Sequence, residues 1–124
     1  MSKVQVIQRD AHLAGPVKLE FVSAKEGRLA KGTLTAITNV AWRKGDERRE
    51  EATVLRWVLW GKQAENAAEY LGKGSHVNID GRLRNNNYTD GEGRDVFGLE
   101  FTVDEIDYLD TKADAEARAT RAQG

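Results

Sequence analysis

Three aromatic side chains in this sequence stand among cations. Trp42 is followed by Arg43 and Lys44, Trp60 lies between Arg56 and Lys62, and Tyr88 follows Arg82 and Arg84. A flat ring beside positive charge suits a ligand that carries both flat groups and anions. Unpaired nucleic acid is such a ligand. Each base stacks on an aromatic face for about 1–3 kcal/mol whatever its identity, and lysine and arginine neutralise the phosphates with release of counterions. Packing is the competing use of such rings, because a tryptophan is usually a largely buried side chain. Trp57 lies on an apolar strand face and reads as core or subunit contact. Trp60 lies on the less apolar face of the same strand, and both uses stay open for it. Trp42 and Tyr88 sit among charged and polar residues, where exposure is favoured. Phe21, Phe97 and Phe101 follow the core alternation and read as core.

Catalytic chemistry finds little support. There are two histidines, His12 and His76, no cysteine, and no His/carboxylate spacing of the metal-binding type. The serines, Ser2, Ser23 and Ser75, occupy no nucleophile-elbow motif. Asp90-Gly91-Glu92-Gly93 lacks the alternating ligands of a calcium loop and reads as a turn. Asn87-Tyr88-Thr89 matches a glycosylation sequon, but no secretion signal accompanies it. The expectation is a chain with no enzymatic activity, no metal and no cofactor.

The elements that would position the rings are mostly strands. Residues 3–8 alternate apolar and polar, 17–22 place Leu19 and Phe21 on one face, and 34–41 alternate again. Residues 43–51, nearly all charged, read as a solvated hairpin loop. Residues 52–60 form the strongest strand, with Thr53, Leu55, Trp57 and Leu59 inward. Ala64, Ala67, Ala68 and Leu71 then make a helical stripe, with Gly72 suited to the left-handed position that ends a helix. Residues 76–83 alternate, a polar hairpin follows, and Phe97, Leu99, Phe101 and Val103 define the last strand. One helix between strands 3 and 4 of a small all-β domain is the order of a five-stranded OB-fold barrel, with residues 3–8 as an extra N-terminal strand. Residues 1–110 would be that domain, and 111–124 a short helical or disordered tail.

Composition agrees with one folded domain: 124 residues, 40% hydrophobic and 31% charged. No apolar run approaches the roughly 18 residues that span a bilayer, so no membrane partner and a cytoplasmic location are expected. The net charge of −1 hides an asymmetry. Residues 1–62 hold twelve Lys/Arg against seven Asp/Glu, and 63–124 hold seven against thirteen. Because attraction to phosphate acts over about one Debye length, roughly 8 Å, a basic surface is compatible with a neutral total.

Several segments are more specific. Trp60-Gly61-Lys62-Gln63-Ala64-Glu65, Glu69-Tyr70-Leu71-Gly72-Lys73-Gly74-Ser75, Gly81-Arg82-Leu83-Arg84, Ala36-Ile37-Thr38-Asn39 with Trp42, and Tyr88-Thr89-Asp90 resemble the bacterial single-stranded DNA-binding protein family. The resemblance runs from about His12 to Leu109. It implies an OB-fold homo-oligomer, commonly a tetramer, that coats single-stranded DNA in replication, repair and recombination. It implies base stacking for Trp42, Trp60 and Tyr88, and a cationic DNA path through Arg56, Lys62, Lys73 and Arg84. Four features depart from the family. Val54 stands where a tryptophan is typical, and about ten residues precede His12 with a shortened link from Gly15 to Gly27. His76, Asn78 and Asp80 replace a contact between dimers, which leaves a dimer open beside the tetramer. The family's glycine-rich tail with its acidic tip, which recruits replication proteins, does not follow. The alternative reading is an OB-fold adaptor of primosome type that mainly mediates protein interactions. The retained GKQAE and LGKGS segments speak against it.

Overall fold

Alternation along one long strand shows how the sequence builds the fold. In β4 (Glu47–Trp60), Trp57 and Leu59 are fully buried while Val54 and Arg56 face solvent. The computed structural model describes residues 2–110, and the expected tail at 111–124 lies outside them. The remaining elements are β1 (Val4–Leu13), β2 (Lys18–Ala24), β3 (Gly27–Lys44), α1 (Gly61–Tyr70), β5 (His76–Asn85), β6 (Tyr88–Thr89), β7 (Asp95–Val96) and β8 (Leu99–Tyr108).

The large sheet runs β1-β5-β8-β4-β3-β2, and β1 pairs again with β3 at His12↔Ile37 and Leu13↔Ala36. That last pairing closes β1, β5, β8, β4 and β3 into a ring of five, with α1 between the third and fourth ring strands in chain order. The expected all-β OB-fold barrel is therefore present. One strand does lie outside the ring, but it is β2, which pairs with β3 from Lys18↔Thr33 to Ala24↔Gly27. Residues 3–8, expected as the extra N-terminal strand, are part of β1, a ring member paired with β5 from Val4↔Leu83 to His12↔His76. Ring closure joins residues far apart in sequence, and local alternation carries no trace of it.

The core centres on Trp57, which tilts against Phe101 with ring centroids 5.5 Å apart. Its Nε1–H donates to Gln8 Oε1 at 2.8 Å, and buried Gln8 donates from Nε2 to the Ala36 carbonyl at 3.2 Å. The polar tip of the ring is thus satisfied inside the barrel, where an orphaned donor would cost about 1–3 kcal/mol. Gly81 makes room for the ring: a Cβ built there would lie 2.6 Å from Trp57 and would also overlap the Thr102 carbonyl. α1 packs against β3 through wholly buried Ala64 and Ala67. Its stripe is alanine because the helix rides on Gly32, where an added Cβ would come within 3.1 Å of the Ala64 methyl. The left-handed glycine after the helix is Gly74 (φ 86°) rather than Gly72; Gly72 N–H donates to Ser75 Oγ at 2.8 Å.

Beyond the barrel, β3 and β4 continue as a ribbon. Their register is unbroken from Lys31↔Trp60 to Lys44↔Glu47, and every residue from 39 to 52 is exposed. The charged stretch 43–51, expected as a loop, is therefore mostly ladder, reversed over Gly45 (φ 64°) and Asp46. Two-residue turns with glycine first match the strand twist and need no longer loop. Two expected core rings are exposed. Phe21 (47% exposed) lies on β2, outside the ring, and Phe97 (85%) precedes β8. Alternation identifies a shared face, and among the described residues no second layer covers these two.

Candidate nucleic-acid interface

The outer face of the barrel wall gathers three of the expected residues and one unexpected cation. Direct cross-strand pairing aligns Glu20, Lys31 and Trp60 in one row over β2, β3 and β4. Lys31 Nζ stands 5.6 Å from the centre of the Trp60 ring and 3.9 Å from Glu20 Oε1. Trp60 is half-buried, so one part of its ring is held while another meets solvent. Arg56 lies four residues earlier on the same face, opposite Thr35, exposed and without an ion-pair partner among the described residues. Lys62 is exposed in the first turn of α1, directly after this face. Lys73 lies beyond the other end of the helix, roughly 15 Å away at 1.5 Å per residue. Its turn is tied to the end of β1 by Gly74 N–H donating to the Leu13 carbonyl at 2.8 Å.

Tyr88 belongs to a small hairpin that springs from this face. Asn86 and Leu99 share a hollow of about 400 Å³ with Val54, Arg56 and Phe101. From there the chain forms β6 and β7, paired at Tyr88↔Val96. The hairpin tip is organised by Asp90, whose Oδ1 accepts from the backbone N–H groups of Glu92 and Arg94, each at 2.9 Å. Asp90 also pairs with Arg94 at 3.3 Å, so the DGEG segment is the turn expected. Tyr88 (58% exposed) and Phe97 line one hollow on this hairpin. Phe97 was not expected at a site; the glycine that follows it, Gly98, is the one local sign that the strand has not yet begun. Val54, where a ring would be typical of the family, is exposed opposite Ile37.

Trp42 stands apart. It is 45% exposed and pairs with Arg49, eleven residues from Trp60 along β4 and hence about 36 Å away at 3.3 Å per residue. The unbroken register also puts it on the opposite side of the ladder from Trp60. Arg49 is bound to Glu47 at 2.7 Å and Arg48 to Glu50 at 3.1 Å, whereas Arg43 and Lys44 have no carboxylate partner among the described residues. The three rings are therefore not gathered into one pocket. They are spread around the molecule, an arrangement for a long flexible polymer and not for a compact ligand.

Two expected cations are differently placed. Arg82 pairs with Asp104, which Lys3 also reaches at 3.1 Å, and Arg84 pairs with Glu100 at 3.3 Å. Their charge is largely compensated by β8. On the β1–β5 side, His76 stacks on His12 with ring centroids 4.6 Å apart and lies 3.2 Å from Asp10. Asn78 accepts from Asp10 N–H at 2.9 Å, and Asp80 from Gln5 Nε2 at 2.9 Å. Near α1, partial burial raises the Tyr108 phenol above its ordinary value, with Tyr70 adding to the effect. Among the described residues no His/Cys/Asp/Glu group could hold a metal ion, and no helix is long and apolar enough to cross a membrane.

The sequence model of the single-strand binding protein family matches residues 20–109, from within β2 to just past the end of β8. This chain belongs to that family. Among its relatives, a single-stranded DNA-binding protein 2 of Listeria innocua is 37% identical over 87 residues, covering 70% of this chain and 54% of the relative. A single-stranded DNA-binding protein of Halalkalibacterium halodurans is 40% identical over 74 residues, covering 60% and 40%. A single-stranded DNA-binding protein 2 of Staphylococcus aureus is 40% identical over 81 residues, covering 65% and 58%. The chain thus spans about half the length of the curated relatives it matches. The family is one of DNA-binding proteins and not of enzymes.

Proposed function

We propose that this chain binds single-stranded DNA without sequence preference, holding it open and protecting it without turnover during replication, recombination or repair. The observation that carries the reading is the outer barrel face, where half-buried Trp60 and uncompensated Arg56 share one surface from which the Tyr88 hairpin springs. Bases stack on Trp60, Tyr88 and, at the ribbon, Trp42. Arg43, Lys44, Arg56, Lys62 and Lys73 neutralise phosphates. Arg82 and Arg84 contribute less, because carboxylates already hold them. The working form is a cytoplasmic homo-oligomer. A tetramer is the first reading and a dimer the second, because His76, Asn78 and Asp80 stand where the family makes a contact between dimers.

Titration with oligo-dT at low salt tests the reading. Tryptophan fluorescence should fall on binding, and added salt should reverse the change. Unchanged fluorescence at saturating oligo-dT would sink the stacking mechanism. Exposed Val54 in place of a stacking ring favours a second reading, the protein-binding adaptor. Stoichiometry on poly-dT separates them, since a coating protein saturates the strand and an adaptor binds it sparsely.

A further inference from the structure

On the same face as Trp60 runs a groove that no expected residue except Arg56 touches. It has a volume of about 590 Å³ and is bounded by Pro16, Lys18, Glu20 and Arg56 over a floor of Thr33 and Thr35. We propose that this groove is a phosphate-binding subsite for the DNA backbone, with Lys18 and Arg56 as its two cationic jaws; the proposal rests on the single-stranded DNA reading above.

Register fixes the geometry. Lys18 pairs with Thr33 on one side of β3, and Arg56 pairs with Thr35 on the other, so both cations share a face with both hydroxyls. Two strand spacings and a two-residue offset put the two Cα atoms on the order of 12 Å apart. Side chains of this length converge from there on one anionic group. Neither Lys18 nor Arg56 has a carboxylate partner among the described residues. Glu20, the one acid among the described residues that line the groove, lies 3.9 Å from Lys31 in the neighbouring row, which offsets its charge. The lining holds no aromatic ring for a base, while threonine hydroxyls donate well to phosphate oxygens. The loop at 14–16 that forms the far wall is fastened by Ala14 N–H donating to the Thr35 carbonyl at 2.9 Å. Trp60 is four residues from Arg56 along β4, about 13 Å. A strand stacked on that ring brings its backbone to the groove.

The test is oligo-dT binding by the full chain, measured from 50 mM to 1 M salt. Each phosphate contact on a single strand adds about 0.7 to the steepness of log K against log salt. Lys18→Ala should therefore flatten the slope by about 0.7 and weaken binding about eightfold at 50 mM, with the curves converging towards 1 M. Lys18→Gln should behave alike, and Lys18→Arg should retain the slope. Lys25→Ala removes the same charge from the β2–β3 turn, away from the groove, and should change the slope less. Equal effects at Lys25 and Lys18 would mean bulk charge and overturn the subsite. So would an unchanged slope in Lys18→Ala while oligo-dT still quenches tryptophan fluorescence, and the stacking reading would then survive. Absence of binding in the unaltered chain would overturn both.

Discussion

Trp57 and Trp42 lie on the same pair of strands and on the same side of the ladder, yet one is fully buried and the other is 45% exposed. Leu34 pairs with Trp57 and, eight residues on, Trp42 pairs with Arg49 in unbroken register. The difference is what stands opposite. Over Trp57 the ring is closed by β8 and β5, with Phe101 against it, Gly81 beneath it and Gln8 accepting its N–H. Past residue 39 no strand among the described residues faces the ribbon, and the same side of the same ladder becomes solvent-exposed. Strand face alone therefore does not decide burial in this molecule; a closed ring has to stand opposite that face.

The contrast is sharpest if each ring is removed. Trp57→Ala should cost about 3–5 kcal/mol, the range for deleting a large buried aromatic. Trp42→Ala should leave stability within about 0.5 kcal/mol and weaken oligo-dT binding by about 1–3 kcal/mol. Urea melts and titrations of the two variants decide it, and a marked loss of stability in Trp42→Ala would make the ribbon part of the fold. Gly81→Ala tests the closed half alone. Its methyl has to displace both the Trp57 ring and the Thr102 backbone, so a loss near the upper end of about 1–3 kcal/mol is expected. An unchanged melting temperature would mean that the barrel is looser around Trp57 than its contacts imply. The smallest effects compare cations. Arg43→Ala and Lys44→Ala should each flatten the salt dependence of DNA binding by about 0.7, whereas Arg82→Ala and Arg84→Ala should flatten it less because carboxylates already hold those side chains. Equal slopes across the four variants would show that DNA displaces those carboxylates.

The same contrast explains what was legible in the sequence. Period-two alternation placed Trp57 and Leu59 inside, and the alanine stripe placed the helix, because those signals are local and have one outcome in a closed barrel. Closure itself rests on His12↔Ile37 and Leu13↔Ala36, pairings across some 25 residues that leave no periodic mark. The N-terminal strand was therefore expected outside the ring and β2 inside it. Phe21 and Phe97 were expected in the core for a related reason: their spacing shows a face but not whether anything covers it. At the candidate site, the exposure of Trp42 and Tyr88 was legible from their charged and polar neighbours. That Arg82 and Arg84 would meet Asp104 and Glu100 was not, because those partners come from another strand. Lys31 is far from Trp60 in sequence, and only the strand register sets it over that ring.

The ribbon's uninterrupted register has a consequence for how its length can vary. Side chains alternate with a period of two, so the ladder has a phase. One residue inserted into β3 between Ile37 and Trp42 would move Trp42 to the side that Trp60 occupies, and the β3 side chains between the insertion and the turn would change sides with it. Two residues added to each strand would lengthen the ribbon by about 7 Å and leave each ring facing as before. Reach and orientation are thus separately adjustable, reach by even steps and orientation by odd ones.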